Sequence, residues 1–376
     1  MDRVTQTRKN TVRAASVLAW MVFSTSCVLD LDGLTTPGGG GTAGEGGTGA
    51  GGQTTSSQGG GGGGAGCPLL ECCPEGQVVT LADGPVFADL PRGLVLRGDS
   101  IVWTAFGGGD IVWMKAEGGP PEVLLEAASP RSIATASDVL AWTAADGVYT
   151  CFLPDCAVSA QLVTPALAMG SLRGVAFDGE TLVFVDRGAG EGDGRARSCD
   201  LADCNPIDLQ DSMIAPEDAV IADGVAFWND VGSGNMNGTI GRSPKGAADY
   251  TQIAAARSLP TGIAVDETYV YWTEELPEGH VYRCPFAAGY CDAPEDIVPA
   301  AGPLGRPSDI QIGGGRIYWT SLDDGSIVSC PQPGCGDAMP KVHVTGRTGL
   351  SRLAVGSYCL FWTENSGGGA VLKTAR

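Results

Sequence analysis

One short aromatic motif recurs along most of this chain of 376 residues and sets its period. An apolar residue precedes an aromatic side chain, and threonine usually follows it. The seven aromatic positions are Trp103, Trp142, Phe184, Trp228, Trp272, Trp319 and Trp362. Successive copies lie 39 to 47 residues apart, which suits a four-stranded propeller blade and exceeds the about 33 to 34 residues of common helical repeats. No segment shows convincing helical periodicity, so the sequence predicts an all-β, seven-bladed β-propeller of four-stranded antiparallel blades.

A second signature begins about 12 residues before the aromatic in several copies, and it is clearest at residues 260–266 (PTGIAVD). Residues 91–96, 130–135 and 307–312 follow the same pattern. Proline and small residues leading into an apolar run suit an innermost strand near an axis. Together with Tyr-Trp-Thr-Glu at 271–274, the pattern resembles the NHL and YWTD families of β-propellers. The resemblance spans roughly residues 67–376 and implies the fold alone, and YWTD propellers usually have six blades where this chain has seven motifs.

The N-terminus has the three parts of an export signal. Residues 3–13 are basic, residues 14–23 (AASVLAWMVF) are apolar but too short to span a bilayer, and Ser24-Thr25-Ser26 precedes Cys27. This resembles a bacterial lipoprotein signal, which implies removal of residues 1–26 and lipidation of Cys27. Ser24 departs from the aliphatic residue usual there, and plain secretion is the alternative.

The segment after the signal differs sharply in composition from the rest of the chain. Residues 37–66 are almost entirely Gly, Ser, Thr, Ala and Gln, which predicts a flexible tether over residues 27–66. Residues 67–376 then form the propeller domain. The sequence therefore predicts an exported lipoprotein that faces the periplasm or the cell surface and contacts the membrane through its lipid anchor only.

The cysteines indicate the blade topology. With Cys27 assigned to a lipid, twelve of the 13 remain. Four pairs at similar places in their repeats predict disulfides that close the hairpin between the third and fourth strands: Cys151 with Cys156, Cys199 with Cys204, Cys284 with Cys291, and Cys330 with Cys335. Cys67 and Cys72 have the same spacing. Zinc is the alternative, but the chain has no Cys-x-x-Cys pair and only 2 His.

The two ends of the propeller domain predict how the ring closes. The last repeat stops after its third strand, at residues 370–376, and an unassigned strand pattern lies at residues 77–81. The N-terminal strand is therefore expected to complete the last blade, which leaves no open sheet edge. Cys73 and Cys359 both belong to that blade, and we predict that they form a disulfide.

Three arginines share one position in the repeat. Arg92, Arg131 and Arg173 each lie 11 residues before their aromatic, on three consecutive blades. In a propeller they would cluster at the axial mouth, where guanidinium groups can bind a carboxylate or an acidic sugar. The alternative is that they pair with the abundant acidic residues of the chain.

Acidic residues follow the second strand of several blades, among them Asp186, Asp230, Glu274 and Glu364. The simple interpretation is that these are solvated turn residues. Two longer loops, at residues 186–194 and 229–238, alternate glycine with oxygen-bearing side chains that could bind calcium, namely Asp186, Asp193, Asp230 and Asn235. Neither loop has the EF-hand spacing, so the main expectation is no cofactor, with calcium as a possible one.

Charge limits the classes of partner. The chain carries 43 acidic and 23 basic side chains, a formal net charge of −20, which disfavours nucleic acid as a partner. His280 and His343 fall in different blades, and no catalytic constellation is evident. The sequence favours a monomeric binding or protein-interaction module at the cell envelope, with a protein or glycan as partner, over an enzyme. The alternative is a lyase or hydrolase that uses rim carboxylates, with or without calcium.

Overall fold

The computed structural model describes residues 73–234, 236–275, 279–287, 289–298 and 305–376. These residues form seven antiparallel sheets of four strands each, and the first strands of successive sheets contact one another around a closed ring. The predicted all-β, seven-bladed propeller is confirmed. Cys27, Cys67, Cys72 and Asn235, which carry predictions made above, lie outside the described residues.

Six blades are each built from four strands that are consecutive in the sequence and pair antiparallel with their neighbours. The strand β1 (Val79–Asp83) comes before them. Blade 1 contains β2 (Pro91–Arg97), β3 (Ser100–Ala105), β4 (Asp110–Lys115) and β5 (Glu122–Glu126), and blade 2 contains β6 (Ile133–Ala136), β7 (Val139–Thr143), β8 (Gly147–Phe152) and β9 (Gln161–Pro165). Blade 3 contains β10 (Leu172–Phe177), β11 (Thr181–Asp186), β12 (Gly194–Asp200) and β13 (Ile207–Met213).

The next three blades repeat this order. Blade 4 contains β14 (Pro216–Ala222), β15 (Val225–Asp230), β16 (Gly238–Pro244) and β17 (Thr251–Arg257). Blade 5 contains β18 (Pro260–Val265), β19 (Tyr269–Glu274), β20 (His280–Pro285) and β21 (Glu295–Asp296). Blade 6 contains β22 (Pro307–Gly313), β23 (Arg316–Ser321), β24 (Ser326–Pro331) and β25 (Lys341–Val344).

Blade 7 joins the two ends of the domain. It contains β26 (Leu350–Val355), β27 (Cys359–Glu364) and β28 (Ala370–Ala375), and β1 pairs antiparallel with β28 as its fourth strand. A disulfide links Cys73 to Cys359 in the same blade, with Cα atoms 5.8 Å apart. Both the predicted ring closure by the N-terminal strand and the predicted Cys73–Cys359 disulfide are confirmed.

The second strand of every blade carries the recurring aromatic, and its side chain is fully buried in each of the seven. These side chains pack between blades. Trp103 of blade 1, for example, lies in one cluster with Ala354 and Phe361 of blade 7. The aromatic side chains of the motif therefore form the hydrophobic core between neighbouring sheets. Large aromatic residues on β-strands commonly pack in this way.

The four short-range disulfides form as predicted. Each closes the connection between the third and fourth strands of its blade: Cys151–Cys156, Cys199–Cys204, Cys284–Cys291 and Cys330–Cys335. Disulfides of this number indicate an oxidising environment, as found outside the cytoplasm.

Among the described residues, helical structure is confined to short connections. These are α1 (Gly84–Phe87), α2 (Cys156–Ser159) and a 3-10 turn (Leu201–Asp203). The part of the chain that the structure describes contains no helix with the length and apolar character needed to cross a bilayer.

Candidate functional site

A β-bulge interrupts the first strand of six blades at the repeat position of the predicted arginines. In blade 1 the register between β2 and β3 shifts between Pro91 and Leu94, so Arg92 and Gly93 form the bulge. Equivalent shifts occur in β10, β14, β18, β22 and β26. A bulge redirects the side chains of its residues, and here it turns them toward the axis.

The threonine of the aromatic motif holds this bulge in place. Thr104 Oγ1 accepts a hydrogen bond from the Gly93 N–H at 2.7 Å and donates one to the Arg131 carbonyl of the next blade at 2.9 Å. Thr143 Oγ1 likewise accepts from the Ser132 N–H at 3.0 Å and donates to the Arg173 carbonyl at 2.8 Å. The motif that sets the period therefore also positions the backbone of two candidate arginines.

The residues 11 positions before the aromatic meet at the axis. All seven line one cavity of about 420 Å³: Arg92, Arg131, Arg173, Glu217, Thr261, Ser308 and Ser351. The structure thus brings the three predicted arginines together in one concave site of a size typical for small ligands. That they bind a ligand stays a prediction.

Arg92 and Arg131 share an aromatic platform. Their Cζ atoms lie 4.6 and 5.1 Å from the centre of the Phe106 ring. Neither guanidinium forms an ion pair or a hydrogen bond with any residue that the structure describes, and the buried Nε of Arg92 has no partner there. Contact with a ring face leaves the N–H groups at the guanidinium edge free to bind a carboxylate.

The cavity disfavours positive charge, and the two arginines nevertheless remain in it. Burial, followed by the charges of Arg173 and Arg92, lowers the pKa of Arg131 to about 10. Arg131 therefore stays protonated at neutral pH. The charge of Glu217 acts in the opposite direction, but among the described residues no acid forms an ion pair with Arg131. An anion bound here would supply that compensation.

Arg173 has different surroundings, which the sequence did not reveal. Its Nη1 donates to the carbonyl oxygens of Gly170, Ser171 and Leu172 at 2.8 to 3.1 Å, and its Nε lies 3.6 Å from Glu217 Oε2. Arg187, which also lines the cavity, forms an ion pair with the same carboxylate. Pairing with acidic residues, the alternative considered above, therefore applies to Arg173 and not to Arg92 or Arg131.

A largely buried ion-pair cluster forms the floor of the cavity. Arg352 Nη1 lies 2.8 Å from Asp218 Oδ2 and 2.9 Å from Asp309 Oδ1, and these three residues come from blades 7, 4 and 6. Burial raises the pKa of both aspartates, and the two carboxylates raise the pKa of Arg352. Arg352 also lines a second axial cavity of about 420 Å³ on the other side, where the walls include Leu94, Val175 and Ile263.

The candidate calcium ligands do not come together in the described residues. Asp186 accepts hydrogen bonds from the N–H groups of Leu167 and Gly188, and Asp230 accepts from those of Ile214, Ala215 and Gly232. Both are buried in separate blades, whereas Asp193 is exposed. Within the described ranges, no group of three or more His, Cys, Asp or Glu could hold a metal ion. Calcium binding stays a prediction.

Four acidic residues have a structural role that sequence reasoning missed. Asp186, Asp230, Glu274 and Glu364 all lie two positions after the aromatic and are buried. Glu274 accepts a hydrogen bond from Trp272 Nε1 at 2.8 Å and pairs with Arg257, and Glu364 does the same with Trp362 and Arg347. The interpretation as solvated turn residues is wrong for these four.

The two histidines lie away from the axial cavity. His280 Nδ1 is 2.8 Å from Asp296 Oδ2, and His343 Nε2 is 2.8 Å from the oxygen of the buried Ser329. Burial lowers the pKa of His343 to about 4. A buried serine is inaccessible to a substrate, so this pair lacks the geometry of a nucleophile and its base.

No family model and no curated protein sequence matches the chain. Three solved structures share its fold. A streptogramin B lyase has a TM-score of 0.62 at 14% identity, covering 79% of this chain and 96% of its own. The Kuenenia stuttgartiensis hydrazine synthase has a TM-score of 0.60 at 14% identity (80% and 99%), and a Xanthomonas campestris gluconolactonase has 0.51 at 14% identity (80% and 89%).

The fold and these similarities define the chain as a seven-bladed β-propeller. At 14% identity the similarities show the fold alone. Propellers with this architecture include enzymes, and one scaffold hosts many unrelated functions, so the function must be argued from the axial site itself.

Proposed function

We propose that the protein is an exported, lipid-anchored binding module of the cell envelope, monomeric, which holds a carboxylate-bearing ligand in the axial cavity. Arg92 and Arg131 would bind the carboxylate through their free N–H edges. Arg173 would contribute positive charge from the next blade. The ligand could be a small molecule or an exposed acidic group of an envelope glycan or protein.

One observation carries the proposal: two adjacent, partly buried arginines have no acidic partner among the described residues of a chain whose net charge is −20. In such an acidic chain, cations that serve stability alone would be expected to pair. Arg173, Arg187 and Arg352 do pair. Binding energy from a charged hydrogen bond in a partly desolvated site is larger than at an open surface.

The test is a titration of the full-length protein, exported and purified in detergent, with cyclohexanecarboxylate, D-glucuronate and D-galacturonate. The double variant Arg92→Gln with Arg131→Gln should weaken binding of the carboxylates at least tenfold. The matched control is Arg97→Gln with Arg195→Gln, which removes two arginines that are about one-third exposed and paired with Asp138 and Asp208. Equal affinities in the two double variants would contradict the proposal.

Anchoring is tested separately. If Cys27 carries the lipid, Cys27→Ala should prevent incorporation of labelled palmitate and shift the protein from the membrane to the soluble extracytoplasmic fraction. A variant that remains in the membrane fraction would contradict lipidation at Cys27. Ligand binding by the axial cavity does not depend on this result.

A further inference from the structure

The axial cavity has two chemically different halves. Blades 1 to 3 contribute Arg92, Arg131 and Arg173 at the inward-turned position. Blades 5 to 7 contribute a hydroxyl group at that same position: Thr261, Ser308 and Ser351. Glu217 of blade 4 lies between the halves. At this repeat position the ring therefore carries guanidinium groups on one side and hydroxyl groups on the other.

The polar half has unused hydrogen-bonding capacity. Ser308 and Ser351 are partly buried, and their hydroxyl groups form no hydrogen bond with any residue that the structure describes. Thr261 Oγ1 has one partner, Thr273 Oγ1, at 3.2 Å. Polar groups that are partly desolvated and unpaired in the free protein gain most from a ligand that pairs them.

Two further side chains extend this half. Glu275 lines the cavity with its side chain 20% exposed, and among the described residues its one ion-pair partner, Arg306, lies 4.0 Å away. No side-chain hydrogen bond to Glu275 occurs in the described part of the chain. Asn365 of blade 7 also lines the cavity. A carboxylate and an amide oxygen accept hydrogen bonds, which a hydroxyl group of a ligand can donate.

We infer that the ligand is a polyhydroxylated carboxylic acid, a sugar acid in chemical class, which binds across the axis. This inference rests on the proposed function. The ligand's carboxylate contacts Arg92 and Arg131, and its hydroxyl groups reach Ser308, Ser351 and Glu275 on the opposite side. The ion-pair cluster of Arg352, Asp218 and Asp309 closes the floor, so the ligand enters from the open side of the cavity.

Simpler ligands leave one half unsatisfied. An unsubstituted carboxylate would pair the arginines and leave the hydroxyl half without partners. A neutral sugar would do the reverse, and it would leave the buried cations uncompensated. Sites built to hydrogen-bond ligand hydroxyl groups discriminate strongly against analogues that lack them.

The experiment compares four probes of similar size, which represent three kinds of ligand, on the full-length protein in detergent. D-Glucuronate and D-galacturonate carry a carboxylate and hydroxyl groups, cyclohexanecarboxylate carries the carboxylate alone, and D-glucose carries hydroxyl groups alone. We expect at least one uronate to bind at least tenfold more tightly than both of the other probes. The variant Ser308→Ala with Ser351→Ala should remove most of that advantage while leaving the affinity for cyclohexanecarboxylate unchanged.

Ser357→Ala is the matched control, because Ser357 is exposed and lies outside the axial cavity. It should leave both affinities unchanged. If cyclohexanecarboxylate binds as tightly as the uronates, the inference fails and the proposed carboxylate site stands. If no carboxylate binds, or if glucose binds as tightly as the uronates, the proposed function fails together with the inference.

Discussion

Arg131 and Arg352 both lie near the propeller axis, at neighbouring positions of the repeat, but their surroundings differ in charge. Arg131 is 11 residues before its aromatic. It lies over a phenylalanine ring at the open cavity, where the charges of three other arginines and of Glu217 act on it. Arg352 is 10 residues before its aromatic and lies between two aspartates. The first has its hydrogen-bonding edge free for a ligand, whereas the second has its charge used within the protein.

The difference shows that two neighbouring positions of the same repeat can have different roles, one in ligand binding and the other in stability. Side chains 11 residues before the aromatic line the cavity, and one position later Asp218, Asp309 and Arg352 close its floor. A partly buried cation between two carboxylates joins blades 4, 6 and 7, while an unpaired cation adds nothing to stability and costs desolvation. The two arginines should therefore respond in opposite ways to substitution.

The largest effect is expected at the floor. Arg352→Met leaves two buried carboxylates without their cation, which should reduce the free energy of unfolding by about 3 to 5 kcal/mol. Urea denaturation with the disulfides intact, followed by tryptophan fluorescence, measures the change. Adding Asp218→Asn and Asp309→Asn to this variant should restore more than half of the loss. If the free energy of unfolding of Arg352→Met alone lay within about 1 kcal/mol of that of the parent protein, the cluster would not be stabilising.

An intermediate effect is expected from Thr143, the threonine of the aromatic motif in blade 2. Thr143→Val removes the hydroxyl that joins the Ser132 N–H to the Arg173 carbonyl, and it should cost about 1 to 3 kcal/mol. It should also lower the affinity for carboxylates several-fold, because the backbone next to Arg131 loses its link to the Arg173 carbonyl of the neighbouring blade. Thr374→Val is the control, since its hydroxyl bonds Gln77 in the closing blade. That variant should lose stability without losing affinity, and equal losses of affinity would contradict a positioning role for Thr143.

A smaller effect is expected at the aromatic platform. Phe106→Leu keeps apolar bulk but removes the ring face beneath Arg92 and Arg131, so stability should change by less than about 1 kcal/mol. Carboxylate affinity should fall, by roughly threefold, because both guanidinium groups become less well oriented. Titration calorimetry on the parent and the variant checks this. An unchanged affinity would mean that the ring does not orient the arginines.

The smallest effect on stability is expected from the arginines of the candidate site. Arg92→Gln with Arg131→Gln removes two unpaired cations that repel each other, so the free energy of unfolding without ligand should stay within about 1 kcal/mol or increase slightly. The same urea denaturation measures it beside Arg352→Met. A loss as large as that of Arg352→Met would show that Arg92 and Arg131 are structural.

The periodicity of the sequence was enough to predict the blades, the closing strand and the clustering of Arg92, Arg131 and Arg173. In a regular repeat structure, residues at the same position of successive repeats lie next to one another. The same spacing applied to the other blades would have found Glu217, Ser308 and Ser351. It could not tell Arg131 from Arg352, because the pairing of Arg352 depends on acids from blades 4 and 6. Nor could it separate buried Glu274 from a solvated turn residue, since both follow a strand.

The closing blade has a consequence for mechanical load. β1 joins the ring through β28, and the Cys73–Cys359 disulfide lies just before β1 in the chain. Tension applied to the chain on the N-terminal side of Cys73 therefore passes through a covalent bond into β27, an interior strand of blade 7, and bypasses the hydrogen bonds that hold β1. A pulling force applied on the N-terminal side of Cys73 therefore does not separate β1 from β28.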